Sequence, residues 1–478
     1  MDNQQSNKKT EVKKLKLTFA AGASTVTGAN FLLETIPASP AGRPEHGEAP
    51  VRMLIDCGME QGGREAAENN RKPFAYDVKT IDYLFVTHAH IDHIGLIPKL
   101  VKDGFRGKIF SSVETHKLVP VMFEDAVKIL GHEAIDHNLP ELYSEADVKQ
   151  ALELWHEIPY FTCTDLKAGL QVCTKEAGHI LGSVMFEFTY NHKKIVFTGD
   201  LGNTPTPLLR NTDDITDATY LVMESVYGDR NHEPIEERRK KLEEVIEDAY
   251  KRGGALVVPC FSLEKTQVLL YEMNQLLEAG RIPKVPVYLD SPLAIKITDI
   301  YKDRFKAFKE SVKKEIQGGD DIFMFPGLKR MLTTEESKEI VNMPNPKVII
   351  AGSGMSNGGR IIHHEAHYLP DPKSTLLLVG YQSIGTLGRR IQNGDKELMI
   401  FGRRVPVRAK IVTIDGYSSH KDSDHLLEFV SHSKDTLKMV FPVMGEPKSS
   451  MFIAQKIQDN LAIEAHNPKQ GESVILDF

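Results

Sequence analysis

The run Ile81–Val86 (IDYLFV) reads as a strand and breaks into Thr87-His88-Ala89-His90-Ile91-Asp92-His93. A chain that delivers so many nitrogen and oxygen donors at one strand end needs a rigid sheet behind them. In extended chain His88 and His90 point to the same side, because side chains alternate with a period of two. A helix opening just beyond projects Asp92 and His93 from the neighbouring turn. The donors then converge on a volume suited to one or two borderline divalent ions. The bland alternative is a histidine-rich turn satisfied by water. Two later positions weigh against it: His179 in Gly178-His179-Ile180-Leu181-Gly182-Ser183, and Asp200 in Phe197-Thr198-Gly199-Asp200-Leu201-Gly202. Each alone is an ordinary loop residue. At strand ends after the histidine cluster, they supply a terminal ligand and a bridging carboxylate.

The remainder divides by texture. Up to residue 229 the chain shows short turn-bounded strands: Leu15, Leu17 and Phe19 alternate with polar residues, and Met53-Leu54-Ile55 precedes Asp56. Residues 1–14 read as a loose tail and Pro37 to Pro50 as an exposed loop. From residue 230 longer βα alternation takes over. Leu242, Val245, Ile246 and Ala249 recur at helical spacing and stop at Gly253, and Ala255 to Val258, Val348 to Ala351 and Leu376 to Val379 are continuous apolar runs. Strands alternating with helices imply a parallel, Rossmann-like sheet. The expected organisation is α/β throughout, with 1–229 as one domain, 230–405 inserted into it, and 406–478 as its return.

At 478 residues two or three folding units are expected, and 41% hydrophobic with 26% charged residues is the composition of a globular chain. No stretch approaches the roughly 20 apolar residues of a membrane span, and the polar start MDNQQSNKKTEVKK is not a secretory signal. Four cysteines without a CxxC pair argue against a disulfide framework and a thiolate zinc site, so a reduced, cytoplasmic protein is expected. A net charge of −7 weighs against a generally basic nucleic-acid binder, yet leaves room for a local basic groove.

With His179 and Asp200 added, the pattern resembles the metallo-β-lactamase superfamily, whose HxHxDH, later His and later Asp bind two metals at one edge of an αββα sandwich. Met223-Glu224-Ser225-Val226-Tyr227-Gly228, Phe261 to Gln267, Asp290-Ser291-Pro292-Leu293-Ala294, Ser353-Gly354-Met355, Gly359-Arg360, Gly380-Tyr381-Gln382 and Ser418-Ser419-His420 resemble elements of its β-CASP branch. The likeness is greatest to RNA-processing members related to the cleavage and polyadenylation endonuclease, in their short prokaryotic form. It implies an αββα sandwich with an inserted β-CASP domain that hydrolyses RNA phosphodiesters by a metal-activated hydroxide. His88, His90 and His179 would hold one Zn²⁺ and Asp92 and His93 a second, with Asp200 bridging and Mn²⁺ as the alternative metal. His420, oriented by Glu224, would protonate the leaving 3′ oxygen. Single-stranded RNA would be the substrate, and a homodimer the assembly.

One departure matters. Where that family usually reads His-Gly-Glu, this chain has Val443-Met444-Gly445-Glu446. A thioether is a poor donor to Zn²⁺ or Mn²⁺, so the second site is expected to be weaker. In the glycine-rich loop Gly352 to Gly359, Ser353, Gly354 and Met355 are expected to cradle phosphate through backbone N–H groups, with Arg360 adding a bidentate contact and Lys265 a point charge. Solvated loop and surface cations are the competing reading. Two rivals remain open: an RNA-binding pseudoenzyme, which Met444 favours, and a small-molecule metallo-hydrolase, which has no use for so large an insert or for the Glu224/His420 pair. A diiron oxidoreductase would normally carry a carboxylate at the position of His90.

Overall fold

The computed structural model of the protein describes residues 12–37, 49–383 and 385–478; the rest of the expected tail and most of the expected loop between residues 37 and 50 lie outside them. Two seven-stranded sheets face each other. In the first, the closing strand Ser473–Asp477 pairs with Val12–Ala21, followed across the sheet by Asn30–Pro37, Arg52–Ile55, Tyr83–Phe85, Lys108–Ser111 and Trp155–Glu157. The chain is thus already a strand from Val12, inside the expected tail. The second sheet runs from Glu464–Ala465 through Met439–Val443, Tyr220–Glu224, Lys193–Phe197, Val184–Tyr190 and Gln171–Glu176 to Cys163–Asp165.

The alternation of Leu15, Leu17 and Phe19 puts all three into the space between the sheets, where they are buried with Phe31, Phe85, Phe186, Phe188 and Phe441. Rings from the two sheets meet directly: Phe85 lies 5.3 Å from Phe186 and 5.0 Å from Phe188. The outer faces are covered by helices. Val113–His137 packs Leu118, Val119 and Phe123 over Leu54 and Leu84, while Ser423–Ser431 and Pro447–Leu461 place Leu426, Phe429 and Ile453 over Val196, Leu221 and Met223. This is the expected αββα sandwich.

A third sheet of six strands, all paired in parallel, forms the inserted unit. Its central strands Ala255–Pro259, Lys347–Ala351 and Thr375–Val379 are buried along their whole length, as their unbroken apolar runs require of a sheet covered on both faces. Its last strand is Lys410–Ile414, past the expected edge at residue 405. The insert leaves after Tyr220–Glu224, and the strand on which the chain returns, Met439–Val443, pairs in parallel with that same strand. Lys296 of helix Pro292–Asp303 bridges to Glu124 of helix Val113–His137 at 2.8 Å, tying insert to sandwich.

The expectation of no disulfide is corrected. Cys163 and Cys173 sit directly opposite each other on adjacent antiparallel strands, with Cα atoms 4.1 Å apart, and are joined. Register brings them together, and spacing along the chain does not reveal it. Cys57 and Cys260 are free and buried. Among the described residues no helix is long and apolar enough to cross a membrane.

Candidate metal centre

Strand ends from both sandwich sheets converge at one edge. The strand Tyr83–Phe85 delivers Thr87 to His93, with His90 capping the short helix Ile91–Ile94 that carries Asp92 and His93. His179 stands in the loop between Gln171–Glu176 and Val184–Tyr190, Asp200 just past Lys193–Phe197, and Glu224 closes Tyr220–Glu224. The donor atoms of His88, His90, His179 and Asp200 all lie within 4.8 Å of one another. Nε2 of His88 is 3.1 Å from Nδ1 of His90 and 3.3 Å from Oδ2 of Asp200; Nε2 of His179 is 3.3 Å from Nδ1 of His90 and 3.5 Å from Oδ2 of Asp200.

The surroundings decide which ring nitrogens face inward. Nδ1 of His93 is held by Oδ2 of Asp56 at 2.7 Å, and Nδ1 of His179 meets the carbonyl of Ser419 at 3.2 Å. Such outer contacts fix a tautomer and leave Nε2 as a donor to metal. Asp56, which directly follows a strand, went unrecognised in the sequence as part of the site. It also accepts the amide and hydroxyl of Thr87, both at 2.8 Å, and so anchors the first residue of the motif.

Two buried atoms among these residues have no hydrogen-bond partner: Nε2 of His93 and Oδ1 of Asp200, 3.4 Å apart. Oδ2 of Asp92 lies 4.0 Å from the same Nε2. Nε2 of His93 and Oδ1 of Asp200 meet each other as a close ion contact, and a cation between them would draw on both. The residues His88, His90, His179 and Asp200 therefore fit a metal ion. Burial, reinforced by neighbouring rings, lowers the His88 ring and carries His90 and His179 well below the ordinary histidine value, so these rings are neutral and have lone pairs to offer. Burial would raise Asp200, but His93 and His88 hold it well below the usual carboxylate range.

Glu224 and His420 meet at the same edge. Nδ1 of His420 is 3.0 Å from Oε1 of Glu224, and Asp200, Glu224 and His420 also bring donor atoms within 4.8 Å of one another. Burial opposes charge on the His420 ring, yet the Glu224 carboxylate holds it above the ordinary value. Met444 directly follows the strand Met439–Val443. Its amide donates to the carbonyl of Gly22 at 2.8 Å, and its side chain belongs to the apolar cluster between the sheets with Ala29 and Phe31.

The expected phosphate loop is braced. The Gly354 carbonyl accepts Nε2 of Gln382 at 3.0 Å, the Met355 carbonyl accepts the Gly388 amide, and Oγ of Ser353 accepts the Asn357 amide. Nζ of Lys265 lies 4.7 Å from the centre of the Phe261 ring, and burial lowers it to about 8. Arg360 is engaged within the insert: it donates to Oδ1 of buried Asp290 at 2.8 Å and to the carbonyls of Met331 and Leu332 at 2.9 and 3.0 Å. His116 stacks on Trp155 and bonds to Glu157.

Three family models match in chain order: a metallo-beta-lactamase superfamily domain over 48–225, a Beta-Casp domain over 266–391 and a Zn-dependent metallo-hydrolase RNA specificity domain over 404–468. The chain is 36% identical over 379 residues to Ribonuclease TTHA0252 of Thermus thermophilus, covering 79% of this chain and 85% of that one. It belongs to the β-CASP family of metallo-β-lactamase hydrolases. Other relatives include Transcription termination factor FttA of Methanosarcina mazei, 31% identical over 97% of this chain and 72% of its own length. The RNase J-like protein of Methanocaldococcus jannaschii is 30% identical over 88% and 93%. Among solved structures, a protein of unknown function from Enterococcus faecalis V583 shares the fold, with a TM-score of 0.56 and 14% identity over 97% of this chain and 100% of that one. As a β-CASP hydrolase the chain carries its His/Asp cluster inside the matched metallo-beta-lactamase segment.

Proposed function

We propose that the protein is a metal-dependent ribonuclease that cleaves single-stranded RNA in the cleft between sandwich and insert. The observation that carries this reading is the buried cluster of donor atoms from His88, His90, His179 and Asp200 beside the Glu224–His420 pair. The substrate class is taken from the names of the relatives, two of them ribonucleases by name.

His88, His90, His179 and Asp200 would hold one Zn²⁺, and Asp92, His93 and Asp200 a second, weaker one with no nitrogen from position 444. When bound, zinc supplies the Lewis acidity that makes water nucleophilic near neutral pH. The protein's own residues do the rest. Asp56 and the Ser419 carbonyl keep His93 and His179 in register. With Nδ1 engaged by Glu224, His420 has Nε2 left to protonate the departing 3′ oxygen, giving a 5′-phosphate and a 3′-hydroxyl. Lys265 and the backbone of Ser353, Gly354 and Met355 would flank the phosphates, with Arg360 bracing the insert from beneath. We also read the insert as running to Ile414, the protein as cytoplasmic and the assembly as a homodimer.

Zinc content of the purified protein, measured with cleavage of a labelled single-stranded RNA, tests the proposal. Bound zinc with cleavage that vanishes in Asp200→Ala is expected. RNA bound but never cut, with no zinc retained, would leave an RNA-binding pseudoenzyme.

A further inference from the structure

Glu264 lies between the strand Ala255–Pro259 and the helix Lys265–Glu278, at φ 65° and ψ −57°. Across it the Lys265 amide donates to the Leu263 carbonyl at 2.9 Å, closing a γ-turn of the rare positive-φ kind. A non-glycine residue persists in such a conformation only where its surroundings enforce it, and such strain gathers at functional sites. The side chain aimed by this turn is 4% exposed, and its Oε2 accepts the hydroxyl of Tyr301 at 2.6 Å. Tyr301, on helix Pro292–Asp303, has no exposed surface, and its oxygen accepts the backbone N–H of Leu181 at 3.2 Å.

Leu181 belongs to the loop that carries His179. On the sandwich side that loop is tied by Ser112 and Thr115, whose hydroxyls donate to the Gly182 carbonyl at 2.6 and 2.8 Å, and inside by Oγ of Ser183, which accepts the His179 amide. On the insert side Tyr301 reaches it. Burial pushes the Glu264 carboxyl up to about 8, so an acid is kept where an apolar residue would fit the surroundings more cheaply.

We propose that Tyr301 and Glu264 are positioning residues for His179: Glu264 aims the Tyr301 phenol, and the phenol holds Leu181 and with it the His179 imidazole. The insert thereby sets the geometry of the metal centre through a direct contact with the loop of His179. This rests on the reading of His179 as a metal ligand.

The test is the zinc affinity of the full chain, read by competition with a chromophoric chelator, for the wild type, His179→Ala, Tyr301→Phe, Glu264→Gly and Glu264→Gln. Glycine accepts the positive φ, so Glu264→Gly removes the carboxyl while relieving the turn. Tyr301→Phe and Glu264→Gly are each expected to weaken zinc binding about tenfold, the range seen when outer contacts of ligating histidines are lost. Glu264→Gln, whose amide oxygen accepts the same phenol, is expected to restore it, which a merely structural role for the turn would not require. Wild-type affinity in both Tyr301→Phe and Glu264→Gly, with affinity lost in His179→Ala, overturns this proposal alone. Wild-type affinity in His179→Ala overturns the ligand reading and this inference with it.

Discussion

Oε1 of Glu224 lies 3.0 Å from Nδ1 of His420 and also accepts the backbone N–H of Leu201 at 2.7 Å, one residue past Asp200. One buried carboxylate thus braces both the His420 ring and the turn that carries Asp200. A general acid accounts for about 10²- to 10⁴-fold in rate. His420→Ala should lower kcat within that range while zinc content stays at the wild-type level. Because His420 also stands within reach of Asp200, a parallel loss of zinc in His420→Ala would make the ring a ligand rather than an acid.

Met444 adopts φ 51°, a backbone region that histidine enters more readily than methionine. Its sulfur packs among Ala29 and Phe31 and offers little to a hard or borderline ion. Zinc titration of the wild type should therefore show two classes of site. Met444→His should tighten the weaker class by about tenfold or more, the increment expected when a nitrogen donor replaces a thioether. Two sites of equal affinity in the wild type would remove the reason for expecting a weak one.

Arg360 stands at the base of the glycine-rich loop with its guanidinium on Asp290, a carboxylate with no exposed surface. Burial would raise Asp290, and hydrogen bonds from His364, Ser337 and Arg360 hold it below the usual range instead. Removing one partner of a buried ion pair costs about 3–5 kcal/mol, discounted here because the Arg360 side chain is 20% exposed. Arg360→Ala should lower the unfolding free energy by about 2–4 kcal/mol and leave KM for RNA within about twofold. A KM effect without a stability effect would return Arg360 to the phosphate.

The histidine and aspartate cluster was legible because HxHxDH is a local pattern: strand period and helix start fix where His88, His90, Asp92 and His93 point. What was not legible is non-local. Asp56 joins the site because its strand, Arg52–Ile55, pairs with Tyr83–Phe85, and no spacing rule connects residue 56 to residue 93. The disulfide of Cys163 and Cys173 follows from strand register, and the engagement of Arg360 from Asp290, Met331 and Leu332, all distant in the chain. Lys410–Ile414 is a half-buried edge strand without the unbroken apolar run of its neighbours, so its place in the six-stranded sheet is not written in its composition.

Glu264 makes the stability of the protein depend on pH in a predictable sense. Burial raises its carboxyl from 4.5 to about 8, so the folded protein keeps this proton over a range in which the unfolded chain has released it. The contribution is fully present below about 4.5 and is lost as pH rises towards about 8. Glutamine does not titrate and still accepts the Tyr301 hydroxyl. Glu264→Gln should match the wild type near pH 4.5 and become progressively the more stable of the two towards pH 8. The difference should reach about 2 kcal/mol or more, since each pKa unit is about 1.4 kcal/mol. Denaturant unfolding of both proteins, stripped of metal and compared across that range, measures it. A difference that stays constant with pH would mean that the carboxyl ionises in the folded protein as readily as in the unfolded chain, with the Tyr301 contact supplying whatever offset remains.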